Sequence, residues 1–293
     1  MTSTLLQPSR RNSKKVSNFT LTILGTASAL PFSDRNPSAQ ALSVHGRLFL
    51  IDCGEGTQRR IRQEHIGFVK FQAIFLSHLH GDHCFGLFGL LSTMSLYHRT
   101  APLKIFAPAG FSAILKFYLS WFGQDLSYEI EHVPLKMKEP EEIYADKAVR
   151  VRAFPLSHKV DCFGFRFDEV LPEPSPRSIP VPGREKRAPR SYAYCSDTAP
   201  FAELPSWVAG VNALYHEATY PASFADKASQ YFHSTTEDAA RCALAAGAKR
   251  LILGHYSSRI NDFKTSPSFG ATVSAKIACA SSRYVLKSLM REL

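Results

Sequence analysis

The feature that most constrains the fold of this chain is a series of short apolar runs that end abruptly at turn residues. Such runs are typical of β-strands. They occupy residues 19–25, 47–54, 71–78, 103–108, 149–158, 162–167, 191–197, 212–218 and 249–255. Between them, apolar residues recur with helical spacing over residues 84–97, 111–122 and 235–248. For the last helix, Thr235 or Thr236 is the expected N-cap and Gly247 the expected end. This alternation predicts an α/β fold.

Polar side chains stand where several of these runs give way to a turn. They are His78, His158, Asp197, His216 with Glu217, and His255. In α/β folds, polar groups at strand ends converge on one rim of the sheet, where ligands bind. The sequence therefore predicts that these distant positions share one site.

Composition narrows the class of protein. With 293 residues, 45% of them hydrophobic, the chain can bury one large core, so residues 19–293 are interpreted as a single domain. The net charge of +10 suits an acidic partner such as nucleic acid, and it equally suits general solubility. Six scattered cysteines without a CxxC pair favour reduced thiols and a cytoplasmic location. No apolar run approaches the roughly 18 residues of a membrane-spanning helix, so a membrane role has no support.

Two segments stand apart from the domain pattern. Residues 1–18 form a basic tail without the apolar stretch of a secretory signal, so they are either a frayed terminus or an organelle-targeting segment. Residues 168–190 are rich in proline, which excludes a helix interior or a central strand, and are expected to form a surface loop. The basic residues of this loop could contact phosphates or simply be solvated. They are Arg177, Arg184, Lys186, Arg187 and Arg190.

The segment HLHGDH, residues 78–83, concentrates metal-ligand chemistry in one loop. Imidazole and carboxylate groups together suit Zn²⁺, Mn²⁺ or a similar cation, and Gly81 permits a tight bend. The four side chains His78, His80, Asp82 and His83 cannot easily enclose one tetrahedral ion. Two ions are therefore favoured, with the remaining ligands from His158, Asp197 and His255. Other histidines are interpreted as ordinary core or surface residues, namely His45, His65, His98 and His132.

The HxHxDH signature resembles that of the metallo-β-lactamase superfamily. Further motifs follow in the order of one of its branches, the ribonuclease Z family of tRNA 3′-processing endonucleases, which the chain resembles over residues 19–260. These motifs are DCGEGTQ (52–58), CSDT (195–198), HEAT (216–219), HSTTEDAA (233–240) and GHYSSR (254–259). The resemblance implies an αββα sandwich, with two mixed β-sheets flanked by helices and the site at one edge.

The resemblance also implies a ligand set for two Zn²⁺ ions per subunit, with Mn²⁺ or another divalent metal as an alternative. His78, His80 and His158 would bind one ion, and Asp82, His83 and His255 would bind the second, with Asp197 bridging the two. Asp52 would orient a ligand histidine, as metal-bound imidazoles commonly require.

The reaction that the resemblance implies is removal of the 3′ trailer of precursor tRNA. Metal-activated hydroxide would attack the phosphorus and leave a 3′-hydroxyl on the tRNA and a 5′-phosphate on the trailer. Glu217 and His233 would protonate the leaving oxygen, because a carboxylate next to an imidazole raises its basicity and keeps it protonated. Asp82 is a candidate acceptor for the proton of the attacking water. His216 is expected to make a structural hydrogen bond.

The chain departs from the family pattern in three places. Bacterial members usually carry a long tRNA-gripping arm between the third histidine motif and the bridging aspartate, where this chain has only residues 159–196. At the family loop P-x-K-x-R-N, this chain has Ser33 in place of the lysine, while Arg35 and Asn36 match. The sequence therefore does not decide whether the chain rejects tRNA ends that already carry CCA. Residues 260–293 support no functional assignment.

Family members often pair, which implies a homodimer.

Two other functions compete with tRNA processing. A phosphodiesterase of the same fold that acts on small phosphodiesters or other RNA is favoured by the shortened arm. A nucleic-acid-binding protein with structural metals would account for the charge of +10. The complete ligand set and the pair of Glu217 and His233 argue against the binding protein, because structural metal sites are closed and need no acid.

Overall fold

A computed structural model of the chain describes residues 19–30, 35–171, 187–257 and 276–279. Its first sheet is mixed: the first three strands pair antiparallel, and the next three continue in parallel. The strands lie side by side in chain order. They are β1 (Phe19–Gly25), β2 (Ala39–Val44), β3 (Arg47–Cys53), β4 (Phe71–Phe75), β5 (Leu103–Pro108) and β6 (Ile130–Leu135).

The second sheet is mixed as well, and its described strands also neighbour one another in chain order. They are β7 (Glu141–Ala145), β8 (Val149–Pro155), β9 (Phe163–Glu169), β10 (Ser191–Cys195), β11 (Ala213–Glu217), β12 (Arg250–Gly254) and β13 (Lys276–Cys279). The strands from β7 to β10 pair antiparallel, and those from β10 to β13 pair in parallel.

The two sheets pack face to face through aromatic side chains. Phe75 of the first sheet lies 5.3 Å from both Phe165 and Phe167 of the second, measured between ring centroids. In β8 the alternation of the sequence decides which side chains enter this core, because successive strand residues point to opposite faces. Val149 and Val151 are fully buried between the sheets, whereas Arg150 is exposed.

Helices cover both outer faces. They are α1 (Thr57–Gln63), α2 (Gly81–Cys84), α3 (Leu87–Leu96), α4 (Phe111–Phe122), α5 (Leu204–Trp207), α6 (Ala225–Tyr231) and α7 (Thr236–Ala245), with 3₁₀ turns at Phe68–Lys70 and Ala222–Phe224. Buried residues of α1, α3 and α4 form one core with the first sheet, and those of α5 and α7 form another with the second. The predicted αββα sandwich is therefore confirmed.

The last predicted helix begins and ends as expected. Thr235 is the N-cap of α7, and its side chain accepts a hydrogen bond from the backbone of Asp238, whose carboxylate in turn accepts one from the Thr235 amide. This reciprocal capping box satisfies two amide groups that a helix start leaves open. After the helix, Gly247 adopts a positive φ of 61°, as a terminating glycine does.

The structure differs from the sequence prediction over residues 84–97. Most of the predicted range forms α3, which begins only at Leu87, while Cys84 ends the preceding short helix α2. Between the two helices, the amide of Gly86 donates to the carbonyl of Cys53 at 2.9 Å. A Cβ at Gly86 would lie 2.2 Å from the carbonyl oxygen of Gly54, so only glycine fits against the end of β3.

The range 168–190 also begins differently from the prediction. Asp168 and Glu169 belong to β9, and the Glu169 side chain is fully buried. Residues 172–186 lie outside the described part of the chain, as do the tail of residues 1–18 and Ser33. Within the described part, no helix is both long and apolar enough to cross a membrane.

Candidate metal centre and active site

All seven predicted ligand residues meet at one edge of the sandwich. His78 and His80 follow β4, and Asp82 and His83 lie in the single turn of α2. The other three follow strands of the second sheet, with His158 after β8, Asp197 after β10 and His255 after β12. Four of the strand-end positions, His78, His158, Asp197 and His255, therefore lie close together in the structure.

The first group of ligand atoms combines three imidazoles with one carboxylate oxygen. His80 Nδ1 lies 3.1 Å from His78 Nε2 and 3.5 Å from His158 Nε2. Asp197 Oδ2 lies 3.6 Å from His78 Nε2 and 3.9 Å from His158 Nε2.

The second group uses the other oxygen of the same aspartate. Asp197 Oδ1 lies 3.4 Å from His83 Nε2 and 3.2 Å from His255 Nε2. The two imidazole nitrogens are 3.1 Å apart. Asp82 Oδ2 completes the group at 3.5 Å from His83 Nε2 and 3.2 Å from His255 Nε2.

These donor sets fit divalent cations. Donors bound at the Zn–N distance of a tetrahedral site lie about 3.3 Å from one another, close to the separations in both groups. Asp197 Oδ1 is buried without a hydrogen bond, although two ring nitrogens are near it. A shared cation would bind Asp197 Oδ1 and both facing ring nitrogens at the same time. Protons cannot do this, because only one proton fits between two facing ring nitrogens.

Electrostatics keep two of the predicted ligands, His78 and Asp82, in the forms that a cation needs. Burial lowers the pKa of His78, which keeps its ring neutral with a lone pair to donate. Burial alone would raise the pKa of Asp82, but the neighbouring His83 and His255 outweigh burial and hold that pKa well below its usual range. Its carboxylate is therefore an anion.

Asp52 lies behind the ligands, where the resemblance placed it. Its Oδ2 accepts from His83 Nδ1 at 2.7 Å, from the Tyr194 hydroxyl at 2.6 Å and from Ser77 Oγ at 2.9 Å. Its Oδ1 accepts from the amide of Ser77 at 2.7 Å. These contacts fix a proton on His83 Nδ1 and turn Nε2 toward the site. Asp52 has a positive φ of 55°, a conformation uncommon for a residue other than glycine.

Other ligand histidines are oriented in the same way, by partners that sequence reasoning did not identify. His158 Nδ1 donates to the carbonyl of Phe232 at 3.0 Å, and His255 Nδ1 lies 2.8 Å from Thr219 Oγ1. Phe232 and His255 both have a φ of 59°. Such strained residues concentrate at functional sites. For Phe232 the sequence offers no signal, because a carbonyl partner leaves no mark on the side chain.

Glu217 and His233 form the predicted pair. Glu217 is fully buried, and its Oε1 lies 2.8 Å from His233 Nδ1. Its oxygens also accept from the amides of Thr198 and Thr219 and from the Thr219 hydroxyl. Burial lowers the pKa of His233, but the Glu217 carboxylate outweighs burial and raises that pKa to about 9. The pair is therefore an anion and a protonated imidazole, and Nε2 is the nitrogen left to face a substrate.

His216, next to this pair, makes the expected structural contact. It is almost fully buried, and its Nδ1 donates to the carbonyl of Glu217 at 2.8 Å.

Five of the seven predicted ligands line one cavity of about 760 Å³ together with His233, namely His80, Asp82, His158, Asp197 and His255. Pro37, Glu55, Phe85, Lys159 and Tyr231 also line it. The predicted substrate residues Arg35 and Asn36 precede Pro37. The Arg35 guanidinium lies 5.8 Å from the centre of the Tyr256 ring, and Asn36 Nδ2 donates to the carbonyl of Gly56 at 3.5 Å.

The three basic loop residues named for substrate contact lie at or beyond the limit of the described chain. Arg184 and Lys186 lie outside it, while Arg187 is described. Arg187 makes two hydrogen bonds of 2.6 Å to the buried carboxylate of Glu169, and 43% of its side chain is exposed. Arg190 Nη2 reaches the same carboxylate at 2.9 Å. Arg187 is thus bound within the protein at the base of the loop.

The chain is similar to known proteins along most of its length. The family model described as Beta-lactamase superfamily domain matches residues 47–256. Proteins named Ribonuclease Z from Porphyromonas gingivalis and Bacteroides fragilis are 38% and 36% identical over 275 residues, which cover 83% of this chain and 90% of each relative. The crystal structure of human tRNase Z, short form, superimposes with a TM-score of 0.72 at 28% identity, covering 89% of this chain and 96% of that one.

These similarities agree with the geometry of the site. The matched domain, residues 47–256, contains all seven predicted ligand residues, from His78 to His255. The relatives match over nearly their whole length rather than over the domain alone. On these grounds the chain belongs to the ribonuclease Z family of the β-lactamase superfamily.

Proposed function

We propose that this chain is a metal-dependent tRNA 3′ endonuclease that removes the 3′ trailer of precursor tRNA. The observation that carries the proposal is that His233, paired with the buried Glu217, lines the same cavity as members of both ligand groups. An acid beside two ligand groups suits hydrolysis of a phosphodiester, in which a poor leaving oxygen must be protonated. The relatives named Ribonuclease Z support the choice of precursor tRNA as substrate.

We further propose that two divalent ions, Zn²⁺ or alternatively Mn²⁺, occupy the two ligand groups. His78, His80, His158 and Asp197 Oδ2 would hold one ion, and Asp82, His83, His255 and Asp197 Oδ1 the other. Bound there, the ions would supply positive charge to phosphate oxygens and a nucleophilic water at neutral pH.

The protein residues handle the protons. His233 donates a proton from Nε2 to the leaving 3′-oxygen, which gives the 3′-hydroxyl of the tRNA and leaves the 5′-phosphate on the trailer. Glu217 holds His233 in the protonated form and in position. Asp82, as an anion at the cavity wall, accepts a proton from the attacking water. Loss of activity in Asp82→Ala that has been reloaded to two ions supports this role, and full activity of the variant would remove it.

The experiment that tests the function uses two substrates. Metal-loaded protein and the His80→Ala variant are incubated with precursor tRNA that carries a 3′ trailer, and both product ends are mapped by sequencing and phosphatase sensitivity. One metal-dependent cut after the discriminator nucleotide, with a 3′-hydroxyl and a 5′-phosphate, is expected. No cut, together with hydrolysis of bis(p-nitrophenyl) phosphate, would instead indicate a small-substrate phosphodiesterase.

How the tRNA binds outside the cleavage site also belongs to the proposal. Arg35 and Asn36 are proposed to contact the 3′ end, and Arg184, Lys186 and Arg187 the phosphates. Neutralising those three loop residues should make the salt dependence of binding less steep, and an unchanged slope would dismiss the loop.

A cytoplasmic location remains a prediction from the cysteine pattern.

The proposed homodimer has a candidate surface on α4. Phe117, Trp121 and Phe122 are 62%, 68% and 63% exposed, and a groove of about 480 Å³ runs between α4 and α3. At this exposure the three rings leave on the order of 400 Å² of apolar area open to solvent. That area is about half of what each partner contributes to a standard interface. We propose that a second copy of the chain covers it.

A further inference from the structure

Three side chains line the cleavage cavity without a part in the proposed chemistry. Phe85, Lys159 and Tyr231 are neither ligands nor proton donors, yet they share the cavity with His80, His158 and His233. Within the described lining, Lys159 is the single lysine or arginine. The cavity therefore offers aromatic and cationic contacts next to the reacting groups.

Phe85 stands next to the ligand loop with most of its surface open. It follows Asp82 by three residues and is 68% exposed. A Cβ at Gly81 would lie 2.4 Å from the Phe85 ring, so the ring rests directly on the backbone of the ligand loop. An open aromatic ring beside a phosphodiester site is suited to stacking on a nucleobase, whatever its identity.

Lys159 has a different chemistry and a fixed position. It follows His158, and its Nζ lies 4.7 Å from the centre of the Tyr231 ring. The ring face attracts the ammonium group and restrains its flexible stem. A compact ammonium is a point charge that suits a phosphate oxygen rather than a base edge.

The chain neighbours of these three residues indicate on which side of the cavity each one lies. Tyr231 precedes Phe232, whose carbonyl accepts from His158, and His233 follows directly. Lys159 and Tyr231 therefore lie on the side of the proton donor, whereas Phe85 lies on the side of Asp82. The donor serves the 3′-oxygen of the nucleotide before the cut, so that nucleotide lies on the His233 side.

We propose that Lys159, held on Tyr231, binds the phosphate on the 5′ side of the nucleotide whose 3′-oxygen leaves, and that Phe85 stacks on the base that follows the cut. The proposal rests on the proposed function, since it assigns places to the two nucleotides that flank the cleaved bond. It makes these residues substrate-positioning groups and leaves the chemistry to the ligands and the acid.

Phe85 is tested by binding, which does not require cleavage. A trailer-bearing RNA with a nonhydrolysable linkage at the cut carries 2-aminopurine at the first trailer position, and its fluorescence reports stacking. Phe85→Leu should lose the quenching and bind about tenfold more weakly, while Phe85→Trp should retain both. Equal quenching by the unaltered chain and Phe85→Leu would overturn the stacking role. Metal content, measured on each variant, should not change.

Lys159 is tested with a neutral linkage at the assigned phosphate. Lys159→Gln should weaken binding of the natural RNA about tenfold and reduce the salt slope by about 0.7, the value for one single-strand phosphate contact. A methylphosphonate at that linkage should weaken binding to the unaltered chain equally and have no further effect on the variant. Additive losses would overturn the assignment.

The chain supplies a matched control in Lys227, whose Nζ lies 5.4 Å from the Phe224 ring. Lys227→Gln removes the same kind of cation–aromatic contact and should bind as the unaltered chain does. Failure of the proposed function would appear as uncut precursor tRNA with the unaltered chain. Failure of the present inference would appear only in these paired binding comparisons.

Discussion

The carboxylate of Glu217 and the imidazole of His233 meet at 2.8 Å, with the glutamate fully buried and the histidine open to the cleavage cavity. The buried anion holds the ring from Nδ1, which leaves Nε2 to act on a substrate. In the proposed reaction, Glu217 carries the negative charge and His233 delivers the proton, so the two tasks belong to different residues.

Removing either member of this pair should slow RNA cleavage selectively. Glu217→Gln and His233→Ala are expected to lower kcat on precursor tRNA by about 10²- to 10⁴-fold, because the leaving 3′-oxygen then departs without a proton. Hydrolysis of bis(p-nitrophenyl) phosphate should change little, because p-nitrophenolate is a good leaving group. Parallel losses on both substrates, measured at equal metal content, would assign the pair to binding or folding instead.

The two ligand groups should lose metal separately. His158→Ala and His255→Ala are each expected to retain about one of two ions per chain after dialysis, because each removes a donor from one group only. Asp197→Ala should weaken both. The measurement is metal content by mass spectrometry, and His132→Ala is the control, since His132 bonds Ser112 and the Ala107 carbonyl outside the site. Full loading of all variants would reject the assignment.

The hydrogen bonds that orient His83 should strengthen the binding of metal at the second ligand group. Asp52→Asn and Tyr194→Phe are expected to weaken binding at the second group by up to 10- to 100-fold, with the larger effect for Asp52. Competition with a chelator measures this change. Tyr192→Phe is a matched control, because Tyr192 is a buried tyrosine of the same strand that bonds Gln40 instead. If Tyr192→Phe weakened affinity as much as Tyr194→Phe, packing rather than orientation would be the cause.

The buried carboxylate of Glu169 should make stability depend on acid. Burial raises the pKa of Glu169, but hydrogen bonds from Arg187 and Arg190 outweigh burial and lower that pKa to about 2, and His45 lies 2.7 Å from the same carboxylate. Because the pKa is lower in the folded chain, the stabilisation is present above the unfolded value of 4.5 and is lost as the pH falls toward 2.

Urea unfolding at pH 7, 4 and 3 measures the effect. The loss attributed to Glu169 should be on the order of 2 kcal/mol. Glu169→Gln should be less stable at pH 7 and lose less on acidification. An identical acid dependence in the variant would show that other carboxylates account for it.

The exposed face of α4 should control the oligomeric state. Phe117→Ser combined with Trp121→Ser is expected to raise the dimer dissociation constant at least tenfold, because buried aromatic anchors dominate interface energy. Light scattering over a concentration series measures the mass. Leu244→Ser, which alters an apolar residue on α7 that is 62% exposed, is the control. A monomer at all concentrations of the unaltered chain would contradict the proposal.

Local patterns were sufficient to predict an α/β fold and the convergence of polar residues at strand ends, whereas the αββα sandwich was implied by the resemblance to the ribonuclease Z family. The apolar runs that became β1, β5 and β10 are buried strands with clear boundaries, and the ligands follow such strands directly. β2, β6 and β7 were missed. β6 and β7 carry polar and exposed residues, which weakens the apolar alternation, whereas β2 is largely buried but includes Gln40 and Ser43.

The groups that orient the ligands could not be predicted in the same way. Tyr194 lies within a fully buried strand, where a tyrosine has the pattern of a core residue, and only the fold brings its hydroxyl to Asp52. The carbonyl of Phe232 depends on a backbone conformation that leaves no sequence signal. Glu169 was assigned to a surface loop because proline dominates the residues that follow it.

Each ligand group draws on both halves of the sandwich. His78, His80, Asp82 and His83 come from the first sheet, whereas His158, Asp197 and His255 come from the second. Binding energy gained at such a site contributes to folding. Metal bound there would therefore link the two sheets at this edge, and the affinity of the site for metal would depend on how well the sheets are docked. A substitution deep in the aromatic layer between the sheets, far from any ligand, would change how the sheets dock and thereby change the affinity of the site for metal.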